Sequence, residues 1–160
     1  MSQERNAFWI LLIHQLPPRP AYLRVKVWRR LQALGAVAIK NTVYALPESS
    51  EAIEDLQWLR REIAGAGGEA VVCEARFLDG LNDDEAIALF HAARDADYAP
   101  LIEAAEALAR RKRPDAARLR RLLKRQAEIR AIDYFGAPAG ARLAALLAEI
   151  AARGGKAAAA

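Results

Sequence analysis

The sequence predicts an α+β protein, a ferredoxin-like βαββαβ core over about residues 8–80 followed by an appended C-terminal helical segment. Three observations lead there. Short apolar runs and stretches of helical spacing follow one another between Phe8 and Leu78 in the order strand, helix, strand, strand, helix, strand. Beyond Gly80 only helical periodicity remains. Across 160 residues, 54% hydrophobic and 28% charged side chains are enough for a buried core under a charged surface. The expected organisation is a core at 1–80, a helical extension at 81–153 and a flexible tail at 154–160.

FWILLI at residues 8–13, ended by LPPRP, is too short for an independent helix and reads as a buried central strand. Pro20 is suited to a helix start, and Leu23, Val27, Leu31 and Leu34 form one stripe that Gly35 terminates. AVAIK and TVYAL are β-rich runs around a turn at Lys40 to Thr42, where Asn41 tolerates left-handed backbone angles. Ser49 or Ser50 can cap a second helix with Ile53, Leu56, Leu59, Arg60 and Ile63 inward, stopped by GAGG, and EAVVCEARFL at 69–78 is the fourth strand. Asn82 with Glu85 resembles a capping box. Helical runs are then expected over about 82–93, 98–111, a basic stretch opened by Pro114 and Asp115, and 141–153 after GAPAG.

Charge is unevenly placed. The net charge is +4, but residues 110–125, RRKRPDAARLRRLLKR, hold nine Lys/Arg and one Asp, a local charge of +8. The rest of the chain, with 15 basic and 19 acidic residues, is net −4. Such clustering is the footprint of a polyanionic partner. At about 100° per residue, Leu119, Leu122, Leu123 and Gln126 share one face of the basic helix, and Arg118, Arg120, Arg121, Lys124 and Arg125 spread over the other. Like charges four apart, Arg120 with Lys124 and Arg121 with Arg125, repel one another, and a phosphate backbone would relieve them. The alternative is pairing with the acidic segment 79–106, which holds eight Asp/Glu against Arg94 alone.

The first helix is a second cationic surface, with Arg24, Lys26, Arg29 and Arg30 off its apolar stripe. Val25 and Trp28 also face away from that stripe and need cover, by the C-terminal helices or else by a second subunit. Lys40 and Asn41 at the hairpin tip are placed to reach a phosphate or a base edge.

Motifs for catalysis are absent. His14 and His91 stand in no metal-ligand spacing, and no phosphate loop, nucleophile elbow or HExxH occurs, so neither an enzyme, a metal site nor a cofactor is expected. His14 reads as a satisfied structural histidine at the end of a core strand, and lone Cys73 as an inert core thiol. One cysteine and no membrane-length apolar run place the protein in the cytoplasm, away from membranes.

WILLIHQLPPRPAYLRVKVWRRLQALGAVAIKNTVYALP, with EDLQWLRREI, GGEAVVCEARFLDGLND and LFHAARDADYAPL, closely resembles the N-terminal domain of the ChrB family of chromate-resistance regulators, continuously from about Phe8 to Leu101. The resemblance implies a transcription regulator, of the chromate-responsive repressor type, bound to the double-stranded promoter of a chromate-resistance operon, with chromate or another oxyanion as effector. Family members carry a further C-terminal domain implicated in sensing, which has no counterpart here. RRLQALGAVAIKNTVYALP also resembles the helix and hairpin of CRISPR spacer-integration proteins and of phenylacetic-acid degradation repressors, which implies a ferredoxin-like fold and a homodimer. The nuclease-type members place an Asp at the end of the first strand, where this chain has His14 and Gln15. The expected function is therefore DNA binding. The alternatives are a protein-interaction or oligomerisation module without nucleic acid, or a metal-dependent nuclease of the spacer-integration type.

Overall fold

The computed structural model describes residues 8–159, with side chains through residue 155. Part of the tail expected at 154–160 thus lies outside the described residues. The elements are β1 (Trp9–Gln15), α1 (Tyr22–Leu34), β2 (Val37–Lys40), β3 (Val43–Pro47), α2 (Ser50–Gly65), β4 (Glu69–Ala75), α3 (Asp83–Ala109), α4 (Ala116–Arg130) and α5 (Pro138–Ala159). The chain is a mixed helix-and-sheet protein. It divides into two compact units, Met1–Ala88 and Leu89–Ala160.

In the first unit four strands form one sheet in the order β2-β3-β1-β4, and every neighbouring pair is antiparallel. β1 is central, which explains its unbroken apolar run: Ile10 and Leu12 are buried in the core that α1 and α2 complete, while Trp9 is buried on the other face. The Trp9 indole N–H donates to Asp83 Oδ1 at 2.9 Å, and its ring lies 5.7 Å from that of Phe77. Leu23, Val27 and Leu31 of α1 are inward as the spacing predicts, and Gly35 ends the helix at φ 75°. Ser49 caps α2, its Oγ accepting the Ala52 N–H at 2.9 Å. The buried α2 stripe is Ala52, Leu56, Leu59 and Ile63, with Ile53 and Arg60 only half-buried. Gly68 joins α2 to β4 where no side chain fits: a Cβ would stand 2.7 Å from Ile63 Cγ2 and 2.9 Å from the Gln15 carbonyl.

The hairpin turns at Asn41 and Thr42, but without the left-handed angles expected of Asn41, since only glycines have positive φ among the described residues. A register shift between Ala38 and Lys40 accommodates the turn instead. Asn82 and Glu85 form the capping box at the start of α3, exchanging backbone-to-side-chain bonds of 2.8 and 3.2 Å.

Where the periodicity predicts two helices with a break near 94–97, α3 is one helix of 27 residues that carries Pro100 within it. The polar interruption is structural. Arg94 is buried and ion-paired with Asp97 at 2.9 Å, and it donates to the Ile132 carbonyl at 3.2 Å. Asp95 accepts the Ala139 N–H at 3.0 Å, and His91 bonds the Phe135 carbonyl at 2.9 Å. These polar groups fasten the segment between α4 and α5. Tyr98, fully buried, donates to Asp133 Oδ2 at 3.0 Å, and Asp133 also accepts the Ala137 N–H. Burial and the Asp133 carboxylate push the Tyr98 phenol up to about 12. Around this layer the second core gathers Leu101, Ile102, Leu108, Ile129, Leu143, Leu147 and Ile150. α5 begins earlier than predicted because Pro138 fits a first helical position, and it continues through Gly154 and Gly155. No described helix is long and apolar enough to cross a membrane.

Candidate nucleic-acid interface

α4 is built as the sequence predicts for its cap and less so for its faces. Asp115 Oδ1 accepts the N–H of Ala117 at 2.9 Å and of Arg118 at 3.4 Å, and these bonds hold its carboxyl below the usual value. Gln126 and Ile129 are buried and Leu119 and Leu122 partly so, but Leu123 is 41% exposed. All five predicted cations of α4 are exposed. Arg118 lies 3.7 Å from Asp115 and Arg125 3.0 Å from Glu128, each within the helix's own sequence. Among the described residues, Arg120, Arg121 and Lys124 have no carboxylate within 4.0 Å. Three acidic side chains of α3 are engaged elsewhere: Asp97 with Arg94, Asp95 with a backbone N–H, and Glu106 with Arg142. Among the described residues of the second unit, no carboxylate of the acidic segment lies within 4.0 Å of a cation of α4.

The cations also sort by direction. Arg118, Arg121 and Arg125 border a groove of about 480 Å³ whose walls include Leu101, Leu108 and Leu122, with Arg111 on its α3 side. Arg120 and Lys124 do not line it. Sequence reading missed this groove, because Arg111 and the α4 arginines come together only when α3 and α4 pack.

In the first unit Arg24, Lys26, Arg29 and Arg30 are exposed on α1, and Lys40 and Asn41 are exposed at the hairpin tip. None of the five cations has a carboxylate within 4.0 Å among the described residues. Val25 and Trp28 stay exposed, at 46% and 52%. The structure brings Arg24 and Asn41 together in a cleft of about 470 Å³ with His14, Trp28, Thr42 and Tyr44, whereas Lys26, Arg29, Arg30 and Lys40 lie outside it.

Two strands place the aromatic groups. Leu12 pairs with Tyr44, so His14, two residues further along β1, emerges on the same sheet face, and the His14 and Tyr44 rings sit 5.8 Å apart. The His14 backbone N–H donates to the Thr42 carbonyl at 3.1 Å, which fixes the hairpin tip against the end of β1. His14 is not the satisfied core histidine expected: its Nδ1 is buried with no hydrogen-bond partner among the described residues. Burial lowers its pKa, opposed by the Thr42 carbonyl. Cys73 is a free, half-buried thiol, and no group of three or more metal-ligating side chains occurs among the described residues.

A family model described as Protein ChrB, N-terminal, matches residues 24–110, more than half of the chain. Protein ChrB of Cupriavidus metallidurans is 31% identical over 139 residues, which cover 84% of this chain and 42% of that protein. The chain therefore spans about two fifths of that relative's length. No solved structure matches. The family match includes α1 from Arg24 on, the hairpin and α3, and it stops before α4.

Proposed function

The chain belongs to the ChrB family, and from that premise we propose that it is a chromate-resistance regulatory protein that binds double-stranded promoter DNA. In this reading it acts in the cytoplasm as a non-enzymatic homodimer, with chromate or another oxyanion as effector. The carrying observation is that Arg120, Arg121 and Lys124 stand exposed on one helix with no carboxylate within 4.0 Å among the described residues. Phosphates would relieve their mutual repulsion and release counterions. The strand order β2-β3-β1-β4, with helices after β1 and β3, favours the ferredoxin-like assignment of the first unit.

Gel-shift titration of the full chain with promoter and scrambled duplex, at two salt concentrations and with or without chromate, tests the proposal. Preferential retention of the promoter, weakened by salt and reversed by chromate, is the expected result. Failure to retain any duplex at low ionic strength would remove DNA binding. Cleavage on adding a divalent metal would replace it with the nuclease reading.

A protein-interaction role is the second reading, and the arginine-bordered apolar groove of the second unit favours it. Its occupant would be an acidic amphipathic helix, apolar on one side and carboxylate-rich on the margins. Retention of such a peptide, with no retention of duplex, would select this reading.

A further inference from the structure

We propose that the cleft of the first unit binds a single nucleotide unit, with its base stacked on Trp28 and its phosphate held by Arg24. The inference stands apart from duplex binding by α4, since every residue it uses belongs to the first unit.

The chemistry of the lining selects this ligand class. A volume of about 470 Å³ falls within the range of small-ligand sites, about 300–1,000 Å³. Trp28 offers an indole face that nothing in its own helix requires: the apolar stripe of α1 is complete with Leu23, Val27 and Leu31, and Trp28 remains 52% exposed. A solvent-exposed indole beside a cation is a stacking platform for a base, whose flat face is sequence-tolerant. Arg24, on the same helix and exposed, provides the planar fork that matches a phosphate.

Asn41 and Thr42 at the hairpin tip complete the cleft with an amide and a hydroxyl, groups that read base or sugar edges. His14 adds a ring that burial keeps neutral near pH 7, so that Arg24 is the one cation of the lining among the described residues. Its buried Nδ1 is a polar atom that has no hydrogen-bond partner among the described residues. A bare inorganic oxyanion would engage Arg24 and leave the indole, Val27 and Leu31 unused. A purely apolar ligand would strip water from Arg24 and Asn41 without replacing it.

Calorimetric titration of the full chain with the four deoxynucleoside 5′-monophosphates, the corresponding nucleosides and inorganic phosphate tests the assignment. Saturable binding of the monophosphates is expected, with nucleosides and phosphate each weaker by roughly tenfold or more. Arg24→Gln and Trp28→Ala should each weaken the monophosphates by about tenfold, while Trp58→Ala, an exposed tryptophan outside the cleft, should change nothing. Duplex with one extrahelical base, compared with fully paired duplex, distinguishes the source. Tighter binding of the bulged duplex that Trp28→Ala abolishes identifies a base presented by nucleic acid; binding of monophosphates with no such preference identifies a free nucleotide. No saturable binding at millimolar monophosphate overturns the proposal. So does inorganic phosphate binding as tightly as the monophosphates, a comparison made on the unaltered chain and independent of how any variant folds.

Discussion

The cations of α1 and those of α4 are alike in exposure and in lacking long-range carboxylate partners, but the groups beside them differ. Along α4 the neighbours of Arg118, Arg121 and Arg125 are aliphatic, Leu101, Leu108 and Leu122 in the groove with no aromatic ring. Beside Arg24 stand an exposed indole, a tyrosine, a histidine and an asparagine amide. Charge on an aliphatic helix can hold a phosphate backbone, and such contacts carry no sequence information of their own. A cation next to a flat ring and an amide can in addition engage a base. On the proposed reading the two surfaces would divide affinity from discrimination, and each half of that division can be broken separately.

The largest effect is expected at α4. Replacing Arg120, Arg121 and Lys124 together with alanine removes three cations that have no carboxylate within 4.0 Å among the described residues. If each contacts a phosphate, the slope of log affinity against log salt becomes shallower by about 0.9 per contact, and affinity at 0.1 M salt drops by roughly 10²–10³-fold. Duplex titration over a series of salt concentrations measures both. An unchanged slope would take these residues out of the interface. The pair Arg118→Ala and Arg125→Ala is expected to cost less per residue, because Asp115 and Glu128 already neutralise those side chains in part.

A smaller and purely structural effect is expected from Tyr98→Phe, which bears on the second unit alone. The phenol is fully buried and its O–H donates to Asp133, the carboxylate that also receives the Ala137 N–H. Losing the hydroxyl deprives Asp133 of one donor and leaves the other, at a cost of about 1–2 kcal/mol in chemical denaturation. Gly140→Ala strains the same place, since its Cβ would meet the Tyr98 ring at 3.1 Å. Neither change touches the cleft residues, so mononucleotide affinity should stay as it was; a loss there would mean that the two surfaces are coupled.

Much of the first unit was legible in the sequence because each element carries its own punctuation. The β1 run ends in prolines, α1 ends in Gly35, α2 begins at Ser49, and the Asn82–Glu85 box opens α3. The exposed cations were legible for the same local reason, as they fall off the apolar stripes. What could not be read was convergence. Arg24, Asn41 and His14 are separated by turns whose geometry the residue types do not encode, and the groove beside α4 depends on Arg111 from the connection that follows α3. The unbroken α3 was missed because Arg94, Asp95 and Asp97 look like a polar break. Their partners, Ile132 and Ala139, lie some forty residues away. The β1 register holds the one overlooked signal: alternation puts Tyr44 and His14 on one face and asks why a histidine should be there.

Acid separates the two surfaces by the pH range in which their groups titrate. His14 has a folded pKa below its ordinary 6.5, because burial disfavours the charged ring. The unfolded chain therefore binds the proton more readily, and stability rises with pH across this window. The contribution of the neutral ring is whole above about pH 6.5 and is lost as pH falls through the depressed folded value. Asp115, the α4 cap, is likewise depressed, from 3.8, by its bonds to the Ala117 and Arg118 N–H groups. Its contribution is whole above pH 3.8 and disappears only in stronger acid. On lowering the pH, the His14 region should thus lose stability first, while the start of α4 holds until its cap is protonated. Amide exchange followed by NMR at Val43 and Ala117 reports the two sites independently, and His14→Gln should flatten the higher-pH loss at Val43 without altering the lower one. Simultaneous loss at both amides near pH 6 would show that the first unit's histidine governs the second unit's helix, and the separation of the two surfaces would fail.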